Sequence, residues 1–172
     1  SAVVAAAPTA RDDQLVTFGI YPDRPETGYG WLELEAKPSA DLALVTQPLV
    51  SFVEKPNLKT AKKLFENGLH LWNAGIFMFS TSTILDAFYK FAPETLMSVR
   101  IAYEDAKRDL SFTRLAIEPW TDLKDISIDY AIMERATNMS VMPYGGSWSD
   151  LGDWQAVWRE GNAESDGVVE FG

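Results

Sequence analysis

Cysteine is absent and histidine occurs once, at position 70. Without cysteine the chain has neither disulfides nor thiolate metal sites, which fits a cytoplasmic protein. A single histidine excludes multi-histidine zinc sites and weakens any Ser-His-Asp arrangement. His70 itself reads as a loop or edge residue. Basic residues are scarce: 15 Lys and Arg face 25 Asp and Glu, a formal charge of −10. That balance argues against nucleic acid as a partner, because phosphate backbones need clustered cations. Anionic substrates would need a metal or a few well-placed lysines to offset the field. Long apolar runs are missing too. The longest, Gly75 to Phe79, has a strand's length, so no membrane span is expected. Ser1 to Ala10 is alanine-rich but lacks preceding basic residues. It is a poor signal peptide and reads as a loop or ragged end.

What is present suits a soluble globular chain. Of 172 residues, 47% are apolar and 23% charged, enough for one ordinary domain with a core. Asp12 to Ile20 contains Leu15, Val16, Phe18 and Ile20, a short apolar run that suits a strand. Pro22, Pro25, Gly28 and Gly30 break the next segment into turns. Tyr29 to Glu35 alternates with the period of a half-exposed strand. Leu49 to Val53 is a further strand, stopped by Pro56. Asn57 can cap a helix that ends at Gly68. Trp72 to Phe79 suits a buried central strand. Ser80 or Ser82 can cap the helix carrying Ile84, Leu85, Phe88 and Phe91. Pro93 starts another, with helical spacing from Leu96 to Leu110. Ser127 can cap a short helix reaching Arg135. Met139 to Tyr144 reads as a strand and Asp153 to Glu160 as a helix, and Gly167 to Phe171 would open one more strand. Strands alternate with helices, so the class is α/β with a largely buried mixed sheet.

Five segments look unusual for purely structural sequence. In Glu26-Thr27-Gly28-Tyr29-Gly30, two glycines permit close approach of a ligand and leave amide N–H groups free to donate. In Phe52-Val53-Glu54-Lys55-Pro56, a charged pair follows a buried strand; Glu54 can accept from sugar hydroxyls and Lys55 can offset a phosphate. In Trp72-Asn73-Ala74-Gly75-Ile76-Phe77, the Asn73 amide both donates and accepts. Asp129 opens a helix in Ser127-Ile128-Asp129-Tyr130, where the macrodipole alone would favour it. In Trp148-Ser149-Asp150-Leu151-Gly152-Asp153-Trp154, Asp150 can ligate a hard divalent cation and Asp153 can cap the next helix.

In this order, the segments resemble the mannose-1-phosphate guanylyltransferases of the sugar-phosphate nucleotidyltransferase family, from about Leu15 to Arg159. The resemblance rests on F-V-E-K-P, W-N-A-G-I-F, I-D-Y-A-I-M-E-R and W-S-D-L-G-D-W. P-E-T-G-Y-G and the tryptophans around Asp150 favour the mannose branch. It implies an enzyme that joins mannose-1-phosphate to GTP, giving GDP-mannose and pyrophosphate with Mg2+. By position, Thr27, Gly28, Tyr29, Glu54 and Asn73 would face the sugar, with Asp129 a further substrate contact. Lys55 would contact the sugar phosphate. Asp150 would be one of two metal-holding aspartates. Lys55 and Asp150 would thus serve catalysis.

The family's glycine-rich nucleotide loop has no counterpart here; Gly19 is solitary. The expected fold is therefore a Rossmann-like nucleotide-diphospho-sugar transferase fold, with a mixed sheet, flanking helices and N-terminal truncation. Residues 1–172 would be the C-terminal, sugar-phosphate-binding portion of the catalytic domain, inactive alone. Two other readings stand beside it: a non-catalytic sugar-nucleotide-binding or regulatory domain, and a related transferase for another sugar phosphate. A sheet lacking its first strands would expose apolar edges, so homo-oligomers or self-association are expected.

Overall fold

Leu15–Ile20 forms strand β1, hydrogen-bonded along both its edges. The computed structural model describes residues 1–38, 44–152 and 154–161. The expected strand at Gly167 to Phe171 and the Asp153 cap lie outside the described residues. The other strands of the main sheet are β2 (Trp31–Leu34), β3 (Gln47–Val53) and β4 (His70–Met78). A short hairpin, β5 (Lys107–Asp109) and β6 (Phe112–Arg114), stands apart, and β7 (Met139–Tyr144) returns to the main sheet. The helices are α1 (Ala2–Arg11), α2 (Leu58–Asn67), α3 (Thr81–Phe91), α4 (Pro93–Glu104), α5 (Ile117–Thr121) and α6 (Trp154–Glu160), with a π-helical turn at Asp129–Met133.

The class is α/β with a mixed sheet, as the alternation of periods implies. The sheet closes on itself in the order β1-β4-β2-β3-β7, and β7 pairs back with β1. Only β1 and β7 run parallel; the other pairings are antiparallel. Closure corrects the expectation of exposed strand edges, because each of these five strands is paired on both sides. It also explains β2, which reads as half-exposed but buries Trp31, Leu32 and Leu34. One face lines the main core with Leu15, Phe52, Leu71 and Val141. That core also takes in Ala87 of α3 and Ile132 of the π-helical turn, while α1 and α2 pack against Val16, Phe18, Ile20 and Trp31.

Two of those helices follow from sequence in different ways. At α2, the Asn57 side chain accepts from the Thr60 N–H, and Gly68 ends the helix at φ 69°. Those are the cap and stop anticipated from the residues. The opening alanines, by contrast, form α1 rather than a ragged end. Alanine has the highest intrinsic helix propensity, and its small side chain lets the helix lie close on the sheet. Ala6 and Ala10 are buried against Val16, Phe18 and Met142, which offsets the disruption from Pro8 within the helix.

Three further expectations shift. The second half of β4 is the more exposed half; burial concentrates in His70 to Asn73. The strand bulges there, between Thr17 and Gly19 of its β1 partner, and Gly75 takes φ 71°. His70 is buried, at 3% exposure, against Trp31 rather than at an edge. The helix at Pro93 stops at Glu104, short of Leu110. Lys107, Arg108 and Asp109 offer no apolar stripe, and the chain turns into the β5–β6 hairpin with Leu110 almost fully exposed at its tip.

Candidate functional site

Strand register brings the candidate residues together. Ile20 aligns with Trp72, Trp72 with Trp31, and Trp31 with Val53, a continuous row across β1, β4, β2 and β3. Gly30 precedes Trp31, Glu54 follows Val53, and Asn73 follows Trp72. Three segments distant in sequence therefore place their polar residues side by side at one row. Gly30 is where they meet. A Cβ there would stand 2.7 Å from Glu54 Oε2 and 3.2 Å from Asn73 Cβ, so any side chain at this position would displace the Glu54 carboxylate.

Asp129 joins from the π-helical turn. Its Oδ1 accepts from Asn73 Nδ2 at 3.3 Å. The Ser127 side chain lies 3.5 Å from the Tyr130 N–H, a long contact, while the Ser127 carbonyl accepts from the Ala131 N–H at 2.9 Å. Asn73 Oδ1 accepts from Thr17 Oγ1 at 2.8 Å and from the Gly75 N–H at 3.1 Å. The Asn73 amide is thus already committed on its oxygen side, and does not offer a ligand both functions equally. Glu54 has only 7% of its side chain exposed. Burial, and after it the Asp129 carboxylate, pushes its pKa above the ordinary value in spite of Lys55. A proton is held more tightly at Glu54 than at a surface carboxylate.

Lys55 has its ammonium 3.4 Å from Glu54 Oε1 and is otherwise exposed. Its backbone sits at φ 44°, a left-handed conformation costly for a lysine. Glu134 holds this turn by accepting the Glu54 N–H at 2.9 Å. Glu134 lies within the I-D-Y-A-I-M-E-R run, and its partner is 80 residues away, so no local pattern announces it.

A second group forms around Tyr29. Its ring packs edge-on against both Trp72 and Trp148, and its hydroxyl donates to Asp150 Oδ1 at 2.7 Å. Burial, then the bond to Asp150, raises the Tyr29 pKa to about 12. Asp150 is exposed, and among the described residues no hydrogen bond engages its Oδ2. A single carboxylate with one free oxygen fits a share in a Mg2+ site completed by phosphate oxygens. Among the described residues no group of three or more acidic or histidine side chains forms a complete cage.

The Thr27 and Gly28 amides differ from expectation. Both donate to Glu26 Oε1, at 2.9 and 3.0 Å, so they are not free. Arg24 completes the contact on Glu26 Oε2 and lies over the Trp72 ring, 4.8 Å from its centroid. Burial would raise the Glu26 pKa, but the Gly28 amide, Arg24 and the Thr27 amide outweigh it and hold the carboxylate below its usual value. A carboxylate from the same loop thus occupies the donors that a ligand was expected to meet.

The nucleotidyl transferase profile matches residues 1–166. A mannose-1-phosphate guanylyltransferase of Sinorhizobium fredii is 41% identical over 169 residues, covering 98% of this chain and 31% of that protein. The Escherichia coli mannose-1-phosphate guanylyltransferase is 37% identical over 172 residues, covering 100% and 36%. This chain therefore spans about a third of the length of these relatives. Among solved structures, a mannose-6-phosphate isomerase from Helicobacter pylori superimposes with a TM-score of 0.76 at 30% identity, covering 87% of this chain and 56% of that one. A Thermus thermophilus protein described as a mannose-1-phosphate geranyltransferase gives 0.74 at 29% identity, covering 92% and 43%.

Proposed function

The chain belongs to the nucleotidyl transferase family, and on that premise we propose that it supplies the sugar-phosphate side of a mannose-1-phosphate guanylyltransferase. The observation that carries this reading is the meeting of Glu54 and Asn73 at Gly30, with Asp129 accepting from the Asn73 amide. Two carboxylates and an amide beside a glycine suit a polyhydroxylated ligand that must come close to backbone. In this reading the closed sheet is part of a Rossmann-like nucleotide-diphospho-sugar transferase domain. A cytoplasmic location accompanies it; among the described residues no helix is long and apolar enough to cross a membrane.

The reaction would be an in-line displacement. A phosphate oxygen of mannose-1-phosphate attacks the α-phosphorus of GTP, the new P–O bond gives GDP-mannose, and the bond to pyrophosphate breaks. Positioning and charge neutralisation supply most of the rate in such transfers. Glu54, Asn73 and Asp129 would orient the sugar, with Thr27, Gly28 and Tyr29 bordering it. Lys55, held at the strand end, would leave Glu54 to meet the sugar phosphate. Asp150 would hold Mg2+, which when bound neutralises phosphate charge. Self-association belongs to the same reading, through an exposed surface rather than strand edges.

Titration calorimetry tests it. The chain should bind mannose-1-phosphate more tightly than glucose-1-phosphate, and should not turn over GTP on its own. Glu54→Gln, Asn73→Ala and Gly30→Ala should each weaken binding by about tenfold or more, the loss of one to two net hydrogen bonds. Absence of binding, or variants that bind like the unsubstituted chain, would overturn the assignment.

A further inference from the structure

The Asn73 amide has a donor half and an acceptor half, and the half that faces the site decides what a ligand must offer. The backbone fixes which half that is. Gly75 N lies 3.1 Å from Asn73 Oδ1, and a backbone N–H only donates, so the atom it meets must be the oxygen. Thr17 Oγ1 donates to the same oxygen at 2.8 Å. Thr17 is fully buried, and its hydroxyl also lies 3.2 Å from the Ile76 carbonyl. It therefore spans the β4 bulge, touching the side chain that precedes Gly75 and the carbonyl that follows it. Bulges re-aim side chains beside functional sites. Here Asn73 Nδ2 is turned toward Asp129.

We propose that Thr17 is a positioning residue, pinning the Asn73 amide so that only N–H donors face the site. This rests on the sugar-phosphate reading above and deepens it. Glu54 and Asp129 offer carboxylate acceptors, while Asn73 offers a donor. The group that satisfies both is a hydroxyl, which accepts from Asn73 and donates to a carboxylate. A fluorine or carbonyl in its place accepts only, leaving a carboxylate unpaired. The corner thus selects a hydroxyl-bearing carbon and discriminates against deoxyfluoro and keto analogues.

The test compares Thr17→Val, which keeps the shape and removes the hydroxyl, with Thr17→Ser, which keeps the hydroxyl. In 1H–15N spectra of the chain, Thr17→Val should shift the Asn73 side-chain NH2 pair and the Gly75 amide; Thr17→Ser should leave them near their original positions. Mannose-1-phosphate affinity should fall about tenfold in Thr17→Val, one net hydrogen bond, and within about twofold in Thr17→Ser. Unmoved resonances in a folded Thr17→Val overturn the positioning role, as does a Thr17→Ser variant that fails equally. Should Thr17→Val not fold, hydrogen exchange on the unsubstituted chain decides. Gly75 is exposed, yet its amide should exchange slowly, and fast exchange overturns the proposal. A chain that binds no sugar phosphate but shows the shifted resonances refutes the functional reading and leaves the positioning role standing.

Discussion

Glu54 puts a carboxylate where charge is costly, and this has a pH signature. Burial and Asp129 hold its pKa above 4.5. Such an acid binds its proton more tightly folded than unfolded. Its stabilising contribution is full below pH 4.5 and is lost as pH rises through the folded value. Glu54→Gln, neutral throughout, escapes that loss. It should unfold at higher urea than the unsubstituted chain at pH 7.5, with the difference closing toward pH 4.5. His70 acts in the opposite direction: burial lowers its pKa below 6.5. The neutral ring is favoured in the fold, so its contribution is full above pH 6.5 and is lost as pH falls through the folded value. His70→Gln should flatten the acid side and leave the Glu54 difference at pH 7.5 intact. Urea midpoints across this range check both signs. Glu54, Asn73 and Asp129 stand out in sequence because each is a polar residue within or beside an apolar element, and the structure brings them close together. Thr17 does not: it reads as one more strand residue, and its partner lies 56 positions away. The Thr27 and Gly28 amides were misread because nothing in the pattern shows a glutamate folding back on its own loop.

Elements were legible where the signal is local. Asn57 and Gly68 bracket α2 because capping and a left-handed stop are short-range chemistry. β7 has the bounds expected of Met139 to Tyr144, a mostly apolar segment interrupted by Ser140. The helix at Pro93 overran to Leu110 because a chance apolar spacing continued into residues that bury nothing. α1 was missed for a different reason: alanine has little hydrophobic contrast, so its periodicity is faint, and its evidence lies in the surface it covers. That surface gives a prediction. Ala6 is fully buried where α1 meets Val16, Phe18 and Met142. Ala6→Leu adds volume to a closed contact and should cost about 1–3 kcal/mol, whereas Val4→Leu, at an exposed position, should change stability by no more than about 0.5 kcal/mol. Urea midpoints of the two variants measure the contrast. Equal midpoints would mean that α1 does not pack on the sheet through Ala6.

At the scale of the whole molecule, closure moves the question of self-association from strand edges to the β5–β6 hairpin. Which strand meets which is a long-range outcome that alternation does not encode, so the ring β1-β4-β2-β3-β7 could not be read in advance. With those edges paired, strand exchange has no open template. The hairpin region does have exposed apolar surface: Leu110 is 98% exposed, Ile117 75%, Phe112 67% and Trp120 51%. The two strands themselves carry Lys107, Arg108 and Arg114 against Asp109, with Asp105 and Glu118 close by in sequence, on a chain of net charge −10. A second copy carries the same net negative charge, so it offers carboxylates to the strand cations. The expected contact is through the exposed apolar tip of the hairpin, weakened by general charge repulsion. Sedimentation velocity should show a coefficient that rises with concentration. Leu110→Asp with Phe112→Thr removes the apolar tip and lowers the hairpin's positive charge by one. Asp tolerates the φ of 56° at that position and Thr suits a strand, so the urea midpoint should hold. The double variant should sediment as a monomer throughout. If it associates as strongly as the unsubstituted chain, the hairpin is not the contact; if the unsubstituted chain is itself monomeric at every concentration, self-association is excluded.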